Sequence, residues 1–181
     1  VLEHPMPHID YWMSVNNKFY NDENIIAKPG YSRFSTAMID RMKAEYAEAD
    51  FIQVHSTFAA KTFLDAGFNP AKIITALLGI DTPALPVWQH GAVSSTDKLK
   101  IVYVGRLELW KGVHLLLQAI KPHMQFVEVT LVGRILPEIA PFIKNLPRGV
   151  KVVGSVNKKE LSTYFLNNDL LVLPSLNDAF G

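Results

Sequence analysis

Cysteine is absent from all 181 residues. That excludes a disulfide framework and thiolate metal centres, and it suits a reducing compartment. Long apolar runs are also missing. The longest, Leu115-Leu116-Leu117 and Leu170 to Leu173, fall far short of the ~20 residues a membrane-spanning helix needs. The opening Val1-Leu2-Glu3-His4-Pro5 has neither the basic start nor the apolar stretch of a signal peptide. Nor is there an initiator Met, and the chain stops at Gly181 inside a recognisable motif, so it is expected to be cut at both ends. Excess charge is scarce, with a net +1. Residues 1–90 hold 7 Lys and Arg against 10 Asp and Glu, and residues 91–181 hold 11 against 7. The mildly basic second half suits an anionic ligand, though ordinary surface has the same balance. No Lys/Arg cluster is interleaved with aromatics, which argues against nucleic acid.

Several nucleotide and catalytic signatures are missing too. There is no G-x-G-x-x-G and no G-x-x-x-x-G-K-[ST], which argues against a dinucleotide site and a P-loop. The histidines at 4, 8, 55, 90, 114 and 123 show no metal-ligand spacing. Ser56 follows His55 but lies in no G-x-S-x-G elbow, so nothing supports a serine hydrolase.

What remains is a globular composition, 49% hydrophobic and 19% charged, long enough to bury a core without staples. The second half alternates regularly. Strands are predicted at Leu99–Val104, Phe126–Val132, Val150–Val153 and Leu170–Leu173, the first three each followed by a glycine (Gly105, Gly133, Gly154). Helices are predicted between them, over 113–120, over 137–146 with Pro at the first turn, and from Asn157 through Asn168. Asn157 and Glu160 have capping-box spacing. Near-continuously apolar strands alternating with helices indicate a parallel sheet covered on both faces.

The first half is less regular. Residues 1–3 read as a strand end, 10–33 as a long loop with short helical pieces, and 34–49 as a helix with Met38, Met42, Tyr46 and Ala49 on one face. A strand at 51–54, a helix capped by Ser56 and stopped by Gly67, and a short strand at 72–77 follow. Residues 81–97, with two Pro, one Gly and no periodicity, have linker composition.

Two loops could carry chemistry. The first is Gly105-Arg106-Leu107-Glu108-Leu109-Trp110-Lys111-Gly112, between a strand and a helix. In open parallel sheets ligands bind beyond the carboxyl ends of strands, and a glycine there lets the backbone approach the ligand. The following helix should aim free N–H groups at the same place. Arg106 and Lys111 add two cations, one a fork and one a point charge, and together suggest a diphosphate clamp or, equally, a solvated surface loop. The second is the terminal loop Pro174-Ser175-Leu176-Asn177-Asp178, where Asp178 could hold sugar hydroxyls or simply form a turn.

These residues carry a resemblance. Val104-Gly105-Arg106-Leu107 with Lys111-Gly112, then Leu131-Val132-Gly133, Val152-Val153-Gly154, Glu160-Leu161 with Tyr164, and Leu173-Pro174-Ser175 resemble, in order, the donor-binding domain of retaining glycosyltransferases of family 4 (group 1). Phe180-Gly181 sits where that family has its E-x-F-G segment. In the first half, Tyr46 to Ser56, Ala66 to Ile73 and Gly79-Ile80-Asp81 are similar to the same family.

The resemblance implies an α/β fold of GT-B type, with two Rossmann-like parallel-sheet domains, both incomplete here. Residues 1–82 would be the end of an acceptor-side domain, 83–98 a linker, and 99–181 the start of the nucleotide-sugar domain. It implies retaining, metal-independent transfer from a nucleotide-diphosphate-sugar to a hydroxyl acceptor in polysaccharide or glycolipid synthesis. Arg106 and Lys111 would stabilise the leaving diphosphate. Asp178 would match the first carboxylate of an E-x7-E motif, with shorter reach, and His8 would lie near the reacting sugar, although packing or helix capping would equally suit it. Gly105, Gly133, Arg134, Gly154 and Ser175 would line the nucleotide. No cofactor beyond the donor substrate is implied. The implied partners are the donor and a carbohydrate or lipid-linked acceptor, with room for peripheral contact at the inner face of a membrane, in the cytoplasm. The second carboxylate of E-x7-E would fall five residues past Gly181, and a glycine-rich acceptor loop would precede Val1, so the chain by itself is expected to be inactive. A nucleotide-sugar isomerase of the same fold and a non-catalytic binding module are the alternative readings.

Overall fold

The computed structural model describes residues 1–22, 34–79 and 98–178. The linker expected at 83–98, apart from Lys98, and the Phe180-Gly181 motif lie outside the described residues. The chain divides into two compact units, Val1–Asp81 with Asn177–Gly181, and Thr82–Leu176.

The first unit is built on a parallel sheet in the order β1 (Leu2–Glu3), β2 (Ile52–Val54), β3 (Ile73–Thr75). Around it lie α1 (Ile9–Asp22), α2 (Thr36–Glu48) and α3 (Thr57–Asp65). Ser35 and Ser56 N-cap α2 and α3 through their side-chain oxygens, as their non-helical backbone allows. The Ser56 hydroxyl oxygen is thus engaged by the Ala59 N–H at 3.0 Å. The centre of the unit is aromatic. His4, His8, Tyr46, Phe63 and Phe68 meet edge to face or tilted, with ring centroids 4.9 to 6.2 Å apart.

Two expectations for this half need correction. Residues 9–22 form one regular helix, where a loop with short helical pieces is predicted over 10–33. Its buried face is Ile9, Trp12 and Asn16, a helical i, i+3, i+7 spacing in which the polar Asn16 hides the period. The predicted apolar face of α2 is also only partly used. Tyr46 is buried, but Met38 is exposed.

The second unit is a four-stranded parallel sheet in the order β6 (Val150–Gly154), β5 (Val127–Val132), β4 (Leu99–Val104), β7 (Leu170–Leu171). The central strands are buried where the apolar runs predicted, with Ile101, Val102, Tyr103, Val129, Leu131 and Val132 almost solvent-free. The helices α4 (Val113–Ile120), α5 (Ala140–Ile143) and α6 (Lys158–Leu166) alternate with the strands. Asn157 and Glu160 close the capping box from both sides. Three elements are shorter than predicted. A 3₁₀ turn at Pro137–Ile139 precedes the single turn of α5, α6 ends at Leu166, and β7 has two residues.

Candidate functional site

The site residues of the second unit are placed by its sheet. β5 flanks β4 on one side and β7 on the other, so the strand order reverses beside β4. In open parallel sheets a ligand crevice forms at that reversal, beyond the carboxyl ends of the strands. The loops after β4 and β7 flank it. They touch, because the Leu176 N–H donates to the Trp110 carbonyl at 3.1 Å and Pro174 lies against Gly112. Ser175 is thereby carried to the segment that holds Lys111.

Three glycines end three neighbouring strands. The Gly105 N–H donates to the Val132 carbonyl at 2.9 Å, and the Gly133 N–H donates to the Gly154 carbonyl at 2.7 Å. Gly133 has a φ of +145°, and a Cβ there would run into the Gly105 carbonyl. The strand ends therefore pack backbone on backbone and leave no side chain above β5 at this position.

The loop above is braced by hydrogen bonds. The buried Tyr103 hydroxyl donates to the Arg106 carbonyl at 2.7 Å. The Leu107 N–H donates to the Arg134 carbonyl at 2.8 Å, and the Leu136 N–H donates to the Leu107 carbonyl at 3.0 Å. Arg134 so braces the loop through its backbone while its side chain is exposed. Arg106 reaches out with 47% of its side chain accessible, and its Nη2 pairs with Glu108 Oε1 at 2.9 Å, the Glu108 side chain being only 6% accessible. Lys111 is half-buried and ends a 3₁₀ turn at Leu109–Lys111.

One sequence expectation changes here. The helix after the loop should present an open N-terminus to an anion. Instead the first turn of α4 is buried at Val113 and His114, and the Pro174 carbonyl sits against Gly112. Positive charge at this edge comes from the Arg106 and Lys111 side chains. Glu108 is the residue that sequence reasoning passed over. Its signal was its place two residues after Arg106, since alternate residues of an extended segment share a face.

Asp178 is half-buried, two residues beyond Leu176, and groups with the first unit, as does His8. His8 N-caps α1, its Nδ1 accepting from the Asp10 N–H at 3.2 Å, while its own N–H donates to Thr62 Oγ1 at 2.8 Å. Burial lowers its pKa. It also lines an open cleft of about 360 Å³ with Asp10, Lys43, Tyr46, Ala66 and Phe68. Lys43 and Asp10 pair there at 2.7 Å. The structure thus gives His8 a capping and packing role at the wall of a cleft. Among the described residues no group of three or more His, Cys, Asp or Glu could hold a metal ion.

His4 was not singled out from the sequence, yet it is buried at the end of β1, its Nε2 2.9 Å from the Tyr46 hydroxyl. Burial lowers its pKa from 6.5 to about 4 and raises that of Tyr46. Both groups stay neutral, and the contact between them is a hydrogen bond. The unfolded chain binds a proton at this position below pH 6.5, whereas the folded chain does so only near pH 4. Stability is therefore full above pH 6.5 and is lost as pH falls between those values. Equilibrium unfolding at pH 7.5 and pH 4.5 is expected to differ by about 2 kcal/mol through His4. His4→Phe should flatten that dependence.

No helix among the described residues is long and apolar enough to cross a membrane. The fold matches solved structures of group GT-B. HepE of Anabaena, solved with UDP and glucose, is 20% identical with a TM-score of 0.62, over 82% of this chain and 44% of that one. The lipopolysaccharide outer core galactosyltransferase WaaB is 15% identical with a TM-score of 0.55, over 70% of this chain and 37% of that one. TarM is 18% identical with a TM-score of 0.57, over 83% and 30%. A 41.2 kDa protein of the cps region of Klebsiella pneumoniae is 29% identical over 150 residues, 79% of this chain and 40% of that protein. The chain thus spans less than half the length of these relatives. The family described as glycosyl transferases group 1 matches residues 98–181, the segment holding the glycine row and the Arg106–Lys111 loop.

Proposed function

We propose that the parent protein transfers a sugar from a nucleotide-diphosphate-sugar to a hydroxyl acceptor, with retention and without a resident metal, in polysaccharide or glycolipid synthesis. The observation that carries this reading is the pair Arg106 and Lys111, on one braced loop at the strand-order reversal of a parallel sheet. The bond between the anomeric carbon and the donor's phosphate oxygen breaks, and its electron pair leaves on the diphosphate. The acceptor hydroxyl bonds through its oxygen to the carbon from the face the diphosphate vacates, which preserves configuration, and its proton passes to the departing phosphate oxygen. Two fixed cations offset the charge on the leaving group, the task a metal performs in other enzymes. Gly105, Gly133 and Gly154 give the nucleotide close access to backbone, with Arg134 and Ser175 at the rim. Asp178 supplies a carboxylate for sugar hydroxyls. UDP and glucose bound to HepE, and the galactosyltransferase name of WaaB, support a nucleotide-sugar donor. The cps-region relative supports a polysaccharide setting. The enzyme would work in the cytoplasm, in peripheral contact with the inner face of a membrane when its acceptor is lipid-linked.

Calorimetry of the full-length protein with UDP, GDP and ADP tests this directly. One of the three is expected to bind, and a screen of sugars on that nucleotide then identifies the donor. No binding by any of them would sink the reading.

A further inference from the structure

We propose that Glu108 is a positioning residue for Arg106, its ion pair setting the guanidinium so that N–H groups face the donor's diphosphate. This rests on the reading of Arg106 as a diphosphate contact.

The backbone brings the two side chains together. Glu108 is extended, with φ −146° and ψ 159°. Residues 106 and 108 can then project to one side while Leu107, fully buried, projects to the other and bridges to Ile135. The resulting pair is asymmetric. The Glu108 carboxylate is 6% accessible and the Arg106 side chain 47%, with 2.9 Å between Nη2 and Oε1. The buried member is thus the anchor, and the exposed member keeps donors in reach of solvent. The Tyr103 hydroxyl fixes the same arginine from below through its carbonyl. An unanchored arginine loses rotamer freedom when it grips a ligand, and anchoring removes most of that loss beforehand.

A second effect of the carboxylate has the opposite sign. A negative charge 2.9 Å from Arg106 offsets its positive charge and opposes an incoming phosphate. If charge dominates, removing the carboxylate tightens diphosphate binding. If positioning dominates, removal weakens it. The fixed geometry, with anchor buried and backbone braced, favours positioning.

The test uses the full-length enzyme and whichever of UDP, GDP and ADP binds the wild type. Glu108→Gln keeps shape and removes charge, and is expected to weaken binding about tenfold. The donor KM should rise with it, and Glu108→Asp should recover part of the loss. In an Arg106→Ala background, Glu108→Gln should change affinity by less than about twofold, because the residue acts only through the arginine. Loss of stability alone would not produce that dependence, and melting curves on each variant follow stability separately. Glu108→Gln binding as tightly as wild type, or more tightly, overturns the proposal while Arg106→Ala remains impaired. If Arg106→Ala itself binds normally, the clamp reading falls and the proposal with it.

Discussion

Lys111→Ala in the full-length enzyme is expected to lower turnover about 10²- to 10³-fold, with little change in melting temperature. In the proposed reaction the departing nucleoside diphosphate gains negative charge as its bond to the anomeric carbon breaks. A cation held in place at that moment needs no reorganisation, and a half-buried one such as Lys111 acts through less water than a surface lysine. Its turn is held by Gly112 beneath Pro174, so the charge is positioned before substrate arrives. Arg106→Ala should cost as much turnover. It should also cost stability, because Glu108 then keeps a buried carboxylate without that cation. Arg106→Lys should recover little, since a point charge cannot replace a fork. Steady-state assays with the identified donor read these effects. Wild-type turnover in both alanine variants would remove the clamp from the mechanism.

The largest effect on stability is expected at Gly112 and Gly133. At Gly112, with φ +69°, a Cβ would be driven into the Pro174 carbonyl, and at Gly133 into the Gly105 carbonyl. In both places the obstacle is backbone, which cannot swing aside as a side chain can. Alanine at either position should therefore destabilise the second unit by about 3 kcal/mol or more, visible as a melting point lower by about 10 °C or as loss of soluble protein. Gly154 is the control, because a Cβ there meets nothing within 4 Å. Gly154→Ala should cost only the conformational penalty, about 1 kcal/mol. Equal losses at all three glycines would contradict the steric account.

The second unit was largely legible in its sequence because each local signal agreed with its neighbours. Leu99–Val104 and Val113–Ile120 are observed with the bounds predicted for them. Burial leaves a mostly apolar run in each central strand, interrupted by Lys100 in β4 and by Glu128 and Thr130 in β5, and glycine marks where each run stops. In the first unit α1 was obscured because Asn16 occupies a buried position that an apolar residue would have signalled. Position 4 was obscured for a related reason. Nothing along the chain shows that His4 meets Tyr46, 42 residues away. Arg106 and Lys111 were legible as charges on a strand-to-helix loop. That Arg106 is coupled to a buried Glu108, and that the α4 terminus is covered, depend on side-chain burial and on a contact with Pro174 more than 60 residues further along the chain.

That distant contact bears on the order in which the unit assembles. β4 meets β5 across 28 residues, Ile101 to Val129, and holds it through six registered pairs. It meets β7 across 69 residues, Ile101 to Leu170, through two pairs. Closing the longer loop costs about 0.8 kcal/mol more chain entropy, and fewer ladder bonds repay it. Asp169 helps set the register, its Oδ2 accepting from the Lys100 N–H and its own N–H donating to the Lys100 carbonyl, each at 2.8 Å. β7 should therefore join an already formed β4–β5 pair late in folding. Until it does, the Arg106–Lys111 loop lacks the Pro174–Leu176 segment against which it rests, so binding competence should appear as one of the last events of refolding, after most of the strand signal has returned.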